Sequence, residues 1–110
     1  MKYLFNALVL PVDPDRLAGK AVFEVERISE AVFCEAVRDP STVSVVGHGP
    51  TARVISEVCG REPPVRRETV FMEPGDVGYH LVLRKRAYLE IPAEEMKKIG
   101  WSYFRSRRVR

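Results

Sequence analysis

The stretch Thr42–Gly60, TVSVVGHGPTARVISEVCG, decides the fold. Val43, Ser44, Val45 and Val46 read as a short buried strand that breaks at Gly47-His48-Gly49-Pro50. Pro50 suits the first helical position, where its missing N–H costs nothing. From Thr51 to Cys59, the residues Ala52, Ile55, Val58 and Cys59 return toward one side of a helix that Gly60 closes. A strand running straight into a helix puts His48 at the junction. Unpaired backbone N–H groups and the positive end of the helix dipole lie there and suit an anion. The same residues also fit a plain tight loop whose glycines need positive φ, with His48 facing solvent.

Working outward toward the N-terminus, Lys2–Leu10 (KYLFNALVL) is nearly continuously apolar and predicts a central strand buried on both faces. Asn6 is the polar exception and needs partners or a ligand. Pro11 and Pro14 end the strand and make 12–19 a loop. Lys20–Glu26 alternates weakly and reads as a strand near an edge; Ser29 then caps a helix through Val37 that Asp39-Pro40 stops. Strands and helices in alternation imply crossovers and parallel pairing, with helices packed on a sheet.

Toward the C-terminus, Pro63-Pro64 is a stiff link. Arg66–Met72 and Val77–Arg86 flank the turn signal Glu73-Pro74-Gly75-Asp76 and predict a hairpin that carries Arg84 and Arg86 to one face and Lys85 to the other. Tyr88–Pro92 reads as a loop, 92–99 as a short helix with acids first and lysines last, and Trp101–Arg105 as a last strand. The expected fold is α/β: one compact domain over 1–110, with a mixed sheet of about five to six strands, a β-hairpin and flanking helices.

Composition sets the class. Of the 110 residues, 45% are hydrophobic and 30% charged, which is ordinary globular usage. Asn6 and Asp13 interrupt the N-terminal apolar run and no signal-peptide pattern follows, so a soluble cytoplasmic protein with no membrane partner is expected. The formal charge of +3 favours a polyanionic ligand, with basic residues gathered at Arg66, Arg67, Arg84, Lys85 and Arg86 and again at the end of the chain. For that tail a merely solvated surface is the preferred reading. Cys34 and Cys59 have no metal-ligand spacing and read as small buried hydrophobes, with a disulfide between them left open. His80, in mid-strand, reads as structural or surface rather than catalytic, and Tyr79 and Tyr88 as packing residues that could also stack on bases.

In order along the chain stand Asn6 at the end of a first apolar strand, a Gly-His-x-x-Thr turn opening a helix, a Cys-Gly helix end, and an arginine-bearing hairpin with an Asp in its turn. From Tyr3 to Arg86 this order resembles the small viral anti-CRISPR ring nucleases. The resemblance implies a homodimeric α/β protein that binds cyclic tetra-adenylate across its two-fold axis and cleaves it without metal or cofactor, in the host cell cytoplasm where the source is a virus. It implies catalytic roles for His48 and Arg86 and ligand-binding roles for Asn6, Gly47, Gly49, Thr51 and Arg67, with no stable duplex nucleic-acid partner. Departures accompany it. Val9 replaces a serine, Gly49 an acid, Val82 a polar residue, and Leu89 a glutamate, with Glu90 one position later. Two other readings stay open: a protein that sequesters a cyclic oligonucleotide without efficient catalysis, and a non-specific nucleic-acid binder that uses charge alone.

Overall fold

A computed structural model describes residues 1–85 and 91–110. The elements in chain order are β1 (Lys2–Phe5), β2 (Phe23–Ile28), α1 (Glu30–Arg38), β3 (Thr42–Ser44), α2 (Gly49–Cys59), β4 (Val77–Leu83), α3 (Ala93–Ile99) and β5 (Trp101–Arg108). The strands form one five-stranded mixed sheet in the order β2-β5-β4-β1-β3. β1 pairs in parallel with β3 on one side and with β4 on the other, while β5 runs antiparallel to both β4 and β2. The α/β class and the mixed sheet are as expected, and β2 lies at an edge as expected.

Local signals fix several boundaries. The Ser29 hydroxyl accepts from the Val32 N–H and caps α1. α2 ends at Gly60, which takes φ 77° and donates its N–H to the Ser56 carbonyl. A Cβ there would meet the αL penalty, so glycine is the cheap stop. α2 begins one residue earlier than expected: Gly49 is its first residue, Pro50 its second and His48 its N-cap.

The two faces of the sheet are covered differently. On one face Leu4, Leu81 and Tyr103 pack beneath the three helices, with Phe33 and Val37 of α1, Ala52 and Ile55 of α2 and Met96 of α3 completing a dry core. Burying a side chain of this kind contributes about 1.5–3 kcal/mol. On the other face Tyr3, Phe5 and Val45 gather around Met72, which is fully buried.

Met72 belongs to a segment expected as a hairpin strand, and here the structure corrects the sequence. Arg66–Met72 forms no ladder with β4. Both edges of β4 are taken, by β1 and by β5. The 65–72 chain therefore crosses the second sheet face as a strap, tied by a bridge between Val46 and Val65 and by the Met72 N–H donating to the Pro11 carbonyl at 2.9 Å. The hairpin is absent for that reason, and Arg84 and Lys85, beyond the end of β4, are not placed by strand alternation.

β1 is also shorter than expected, stopping at Phe5, and Leu8, Val9 and Leu10 are exposed. β5 is longer than expected and runs to Arg108. Cys34 in α1 and Cys59 at the end of α2 are buried and joined by a disulfide, with Cα atoms 5.0 Å apart, which decides the alternative the sequence left open. The bond closes a span of 25 residues and ties α1 to α2. Cys34→Ala/Cys59→Ala is expected to lose about 3 kcal/mol, or a Tm drop of more than about 10 °C, read by thermal melting beside the oxidised and reduced wild type.

Candidate functional site

Because β3, β1 and β4 run in parallel, their carboxyl ends lie side by side at one rim of the sheet. Loops leaving that rim are where open α/β sheets hold ligands. Asn6 is the first residue past β1, half-buried. Val45 and Val46 carry the chain from β3 to Gly47 and His48, and Arg84 and Lys85 follow β4. The exits of β1 and β3 thus bring Asn6 and the His48 turn to one rim, while β4 runs three residues past the level of Phe5 and sets the Arg84 side chain beside Gly100.

His48 has extended backbone angles of −130° and 128°, and its carbonyl accepts the Ala52 N–H at 3.2 Å, which starts α2. Its ring does not cap the helix. The first-turn N–H groups have no carbonyl one turn back, so this end of α2 presents donors and partial positive charge beside the imidazole.

The glycines flanking His48 carry a separate signal. Neither Gly47 nor Gly49 has positive φ, so the loop reading that needed such angles does not describe this turn. A Cβ on Gly47 would touch the Arg67 side chain at 3.5 Å, whereas one on Gly49 would meet nothing within 4 Å. Among the described residues no contact requires glycine at 49.

The strap supplies the next group. The Arg66 N–H donates to the Val46 carbonyl at 2.9 Å and the Arg67 Nε donates to the Gly47 carbonyl at 2.8 Å. Arg67 is exposed and locked against the turn that carries His48. Residues 20 apart in sequence are thereby joined.

Thr51 sits differently from the reading drawn from the resemblance. It is 6% exposed, and its hydroxyl donates to the Met96 sulfur of α3 at 3.8 Å. It links α2 to α3 rather than facing the rim. Arg86, Tyr88, Leu89 and Glu90 lie outside the described residues. Val82 and Tyr79 are half-buried, Tyr79 against the helical core.

A cleft of about 590 Å³ opens at the start of α2, lined by Gly49, Pro50, Arg53, Glu62, Ile91 and Pro92. A second cleft of about 500 Å³ lies around Tyr79, Glu26 and Arg105, toward the opposite end of β4, and there Arg105 is already paired with Glu26. The first adjoins the histidine turn and is the better candidate. Among the described residues, no cluster of His, Cys, Asp and Glu could hold a metal ion, and no helix is long and apolar enough to cross a membrane.

Sequence reasoning left His80 with a structural or surface role; the structure buries it completely. Nδ1 lies 2.9 Å from the Ala7 carbonyl and Nε2 lies 2.7 Å from the Ser106 hydroxyl. A carbonyl only accepts, so Nδ1 carries the proton and the neutral Nε2 accepts from Ser106. Burial lowers the His80 pKa, partly offset by the Ala7 bond. A Ser-His pair suggests a nucleophile and its base, but both residues are fully buried beside Phe5 and Gly78 and no substrate reaches them. Gly78 was the available signal: a Cβ there would lie 2.7 Å from the Ser106 oxygen and 2.8 Å from Nε2.

Comparison with known proteins gives four findings. Residues 2–103 match the family model described as STIV B116-like. The chain is 31% identical over 112 residues to protein ORF117 of Acidianus two-tailed virus, covering 97% of this chain and 92% of that protein. It is 25% identical over 105 residues to protein 26 of Sulfolobus islandicus filamentous virus, isolate Iceland/Hveragerdi, covering 93% and 86%. The solved structure of B116 of Sulfolobus turreted icosahedral virus superposes with a TM-score of 0.70 over 96% of this chain and 97% of that one. At 18% identity this is a likeness of fold.

His80 titrates from about 6.5 in the unfolded chain and lower in the folded one, so the unfolded state binds its proton first on acidification. Stability is expected to be insensitive to this group above about pH 6.5 and to fall as pH drops below it. Asp39, held well below the usual carboxylate range by Lys2 and Ser41, contributes its own loss only in stronger acid. Chemical denaturation between about pH 5 and 7 checks this, with His80→Gln expected to flatten the slope.

Proposed function

The chain belongs to the STIV B116-like family, and within it we propose a metal-independent ring nuclease that binds and cleaves cyclic tetra-adenylate and so antagonises type III CRISPR signalling. The observation that carries this reading is the meeting of His48, the start of α2 at Gly49 and the guanidinium of Arg67, which is bonded to the Gly47 carbonyl, at the rim where β1 delivers Asn6.

The chemistry asks for few parts. A ribose 2′-OH attacks its own 3′-phosphate in line, the P–O5′ bond breaks, and the product end is a 2′,3′-cyclic phosphate. The 2′-OH loses a proton and the departing 5′-oxygen gains one. A histidine is suited to deliver the second at neutral pH, and His48 is assigned that role. Charge accumulates on the phosphoryl oxygens as the phosphorus becomes five-coordinate. The first-turn N–H groups of α2 offset it together with Arg86, to which the resemblance gives the second catalytic role. Asn6, Gly47 and Arg67 are assigned to holding the ring, Arg67 as a guanidinium able to pair with phosphate in a bidentate manner. A two-fold ligand fits a homodimer, with one rim from each protomer.

A second reading has its own observation. The Thr51 hydroxyl turns inward to Met96 and the exposed residue at position 9 is a valine, so two polar groups of the family pattern are missing from the rim. A dimer that holds the ring and releases it uncut would sequester the messenger instead.

Purified protein incubated with cyclic tetra-adenylate in EDTA separates the two. His48→Ala is expected to lower turnover by about 10²–10⁴ while Kd changes little; tight binding by the wild type without cleavage establishes sequestration. Arg67→Ala is expected to raise Kd, more strongly at low ionic strength, because an exposed cation is screened by salt. Equal affinity for the ring and for a linear tetra-adenylate, with a steep salt slope, would sink both readings.

A further inference from the structure

Asn6 stands where β1 ends, and β1 ends for a reason outside its own sequence. The Ala7 carbonyl would continue a ladder; instead it accepts two hydrogen bonds, from the Val9 N–H at 3.1 Å and from His80 Nδ1 at 2.9 Å. Both lone pairs are used. The imidazole cannot swing away. Its ring stacks on Phe5 with centroids 5.0 Å apart and an interplanar angle of 11°, and its second nitrogen is held by Ser106 of β5. Gly78, on the same face of β4, is empty where a side chain would collide with both His80 and Ser106. The chain leaving Asn6 is thus tied at Ala7, and four residues later at Pro11, whose carbonyl receives the Met72 N–H.

We infer that His80 is the positioning residue of the candidate site: by pinning the Ala7 carbonyl to Ser106 of β5, it fixes the turn that presents Asn6 to a cyclic oligonucleotide. The ligand part of this inference rests on the function proposed above; the pinning does not. His80 touches no substrate and sits beneath the rim. Its role differs from that of His48, which is carried by the β3-to-α2 junction and is independent of the Ala7 turn. Ring contacts made by Asn6 are therefore sensitive to His80, and proton transfer by His48 is not.

The experiment uses the full chain with His80→Phe, which keeps a ring against Phe5 and removes both hydrogen bonds, together with Asn6→Ala, the double variant and His80→Gln. Cyclic tetra-adenylate is the probe, and Kd and single-turnover cleavage at saturation are read separately. His80→Phe is expected to raise Kd about tenfold, with cleavage of the saturated complex within about twofold of wild type. The double variant is expected to bind no worse than Asn6→Ala alone, since a residue acting through Asn6 has nothing left to position. His80→Gln, which can donate to Ala7, is expected to recover part of the loss. A general loss of packing would instead add in the double variant and would overturn the inference.

Amide exchange of the same proteins without ligand tests the pinning independently. The Val9 amide is expected to exchange at least about tenfold faster in His80→Phe while the amides of β4 stay protected. Unchanged Val9 exchange overturns the inference whatever the ligand does. Faster Val9 exchange in a protein whose wild type binds no cyclic tetra-adenylate supports the pinning and overturns the ring-nuclease reading. Should His80→Phe fail to fold, Ser106→Ala, which frees the imidazole from its other side, carries the same expectations.

Discussion

The parallel pairing of β1 on both of its edges is the constraint on which the rest depends. Antiparallel neighbours would send successive chain exits to opposite rims; parallel ones send them to the same rim. Lys2 opposite both Thr42 and Val77 sets a register in which β3, β1 and β4 start level, β3 and β1 end at Ser44 and Phe5, and β4 runs on past His80 to Leu83. From that arrangement it follows that the chain leaves β1 at Asn6 and β3 toward the histidine turn on the same side of the sheet. The disulfide ties α1 to α2, and the buried faces of these helices hold the helical layer to the sheet.

The second sheet face is built from irregular chain, and this is where structure and site meet. A sheet face left open costs solvent-exposed apolar area, and Tyr3, Phe5 and Val45 are too apolar to be left bare. Met72 and Val70 of the 65–72 strap cover them, and a second strap at 6–11 is tied to it by the Met72 N–H, without competing for ladder positions. Each strap is fastened at points that also shape the rim: His80 takes the Ala7 carbonyl, and Arg66 and Arg67 take the carbonyls of Val46 and Gly47. Covering the core and positioning the candidate ligand groups are therefore done by the same few hydrogen bonds. Buried polar groups such as His80 and Ser106 are tolerable because each satisfies the other.

At the candidate rim the start of α2 offers backbone N–H groups, Arg67 a guanidinium and Glu62 of the adjoining cleft a carboxylate. An acid in place of Gly49 would bring a general base near His48 but would also oppose an anion at the helix start. Thr51, though close in sequence, is turned by the helix toward α3, because successive helical residues point about 100° apart.

Much of this was legible in the sequence, because it depends on neighbours along the chain. Pro50 and Gly60 bracket α2, Ser29 starts α1, and Gly100 follows α3, each through chemistry confined to one turn. The strand-turn-helix around His48 was therefore readable, as was the α/β class. What required tertiary structure was every choice among competing partners. Arg66–Met72 alternates well enough to be a strand, but alternation does not say which strand takes the edge of β4, and β5 pairs along all seven of its residues. Leu8, Val9 and Leu10 are apolar enough to extend β1, yet the carbonyl that would continue the ladder is held by a histidine 73 residues away. Cys34 and Cys59 revealed their burial through helical spacing, and their bond only through the packing of α1 on α2. Periodicity and caps are properties of one segment and are readable from its own residues; pairing and hydrogen-bond competition are properties of two segments brought together, and the folded chain decides which wins.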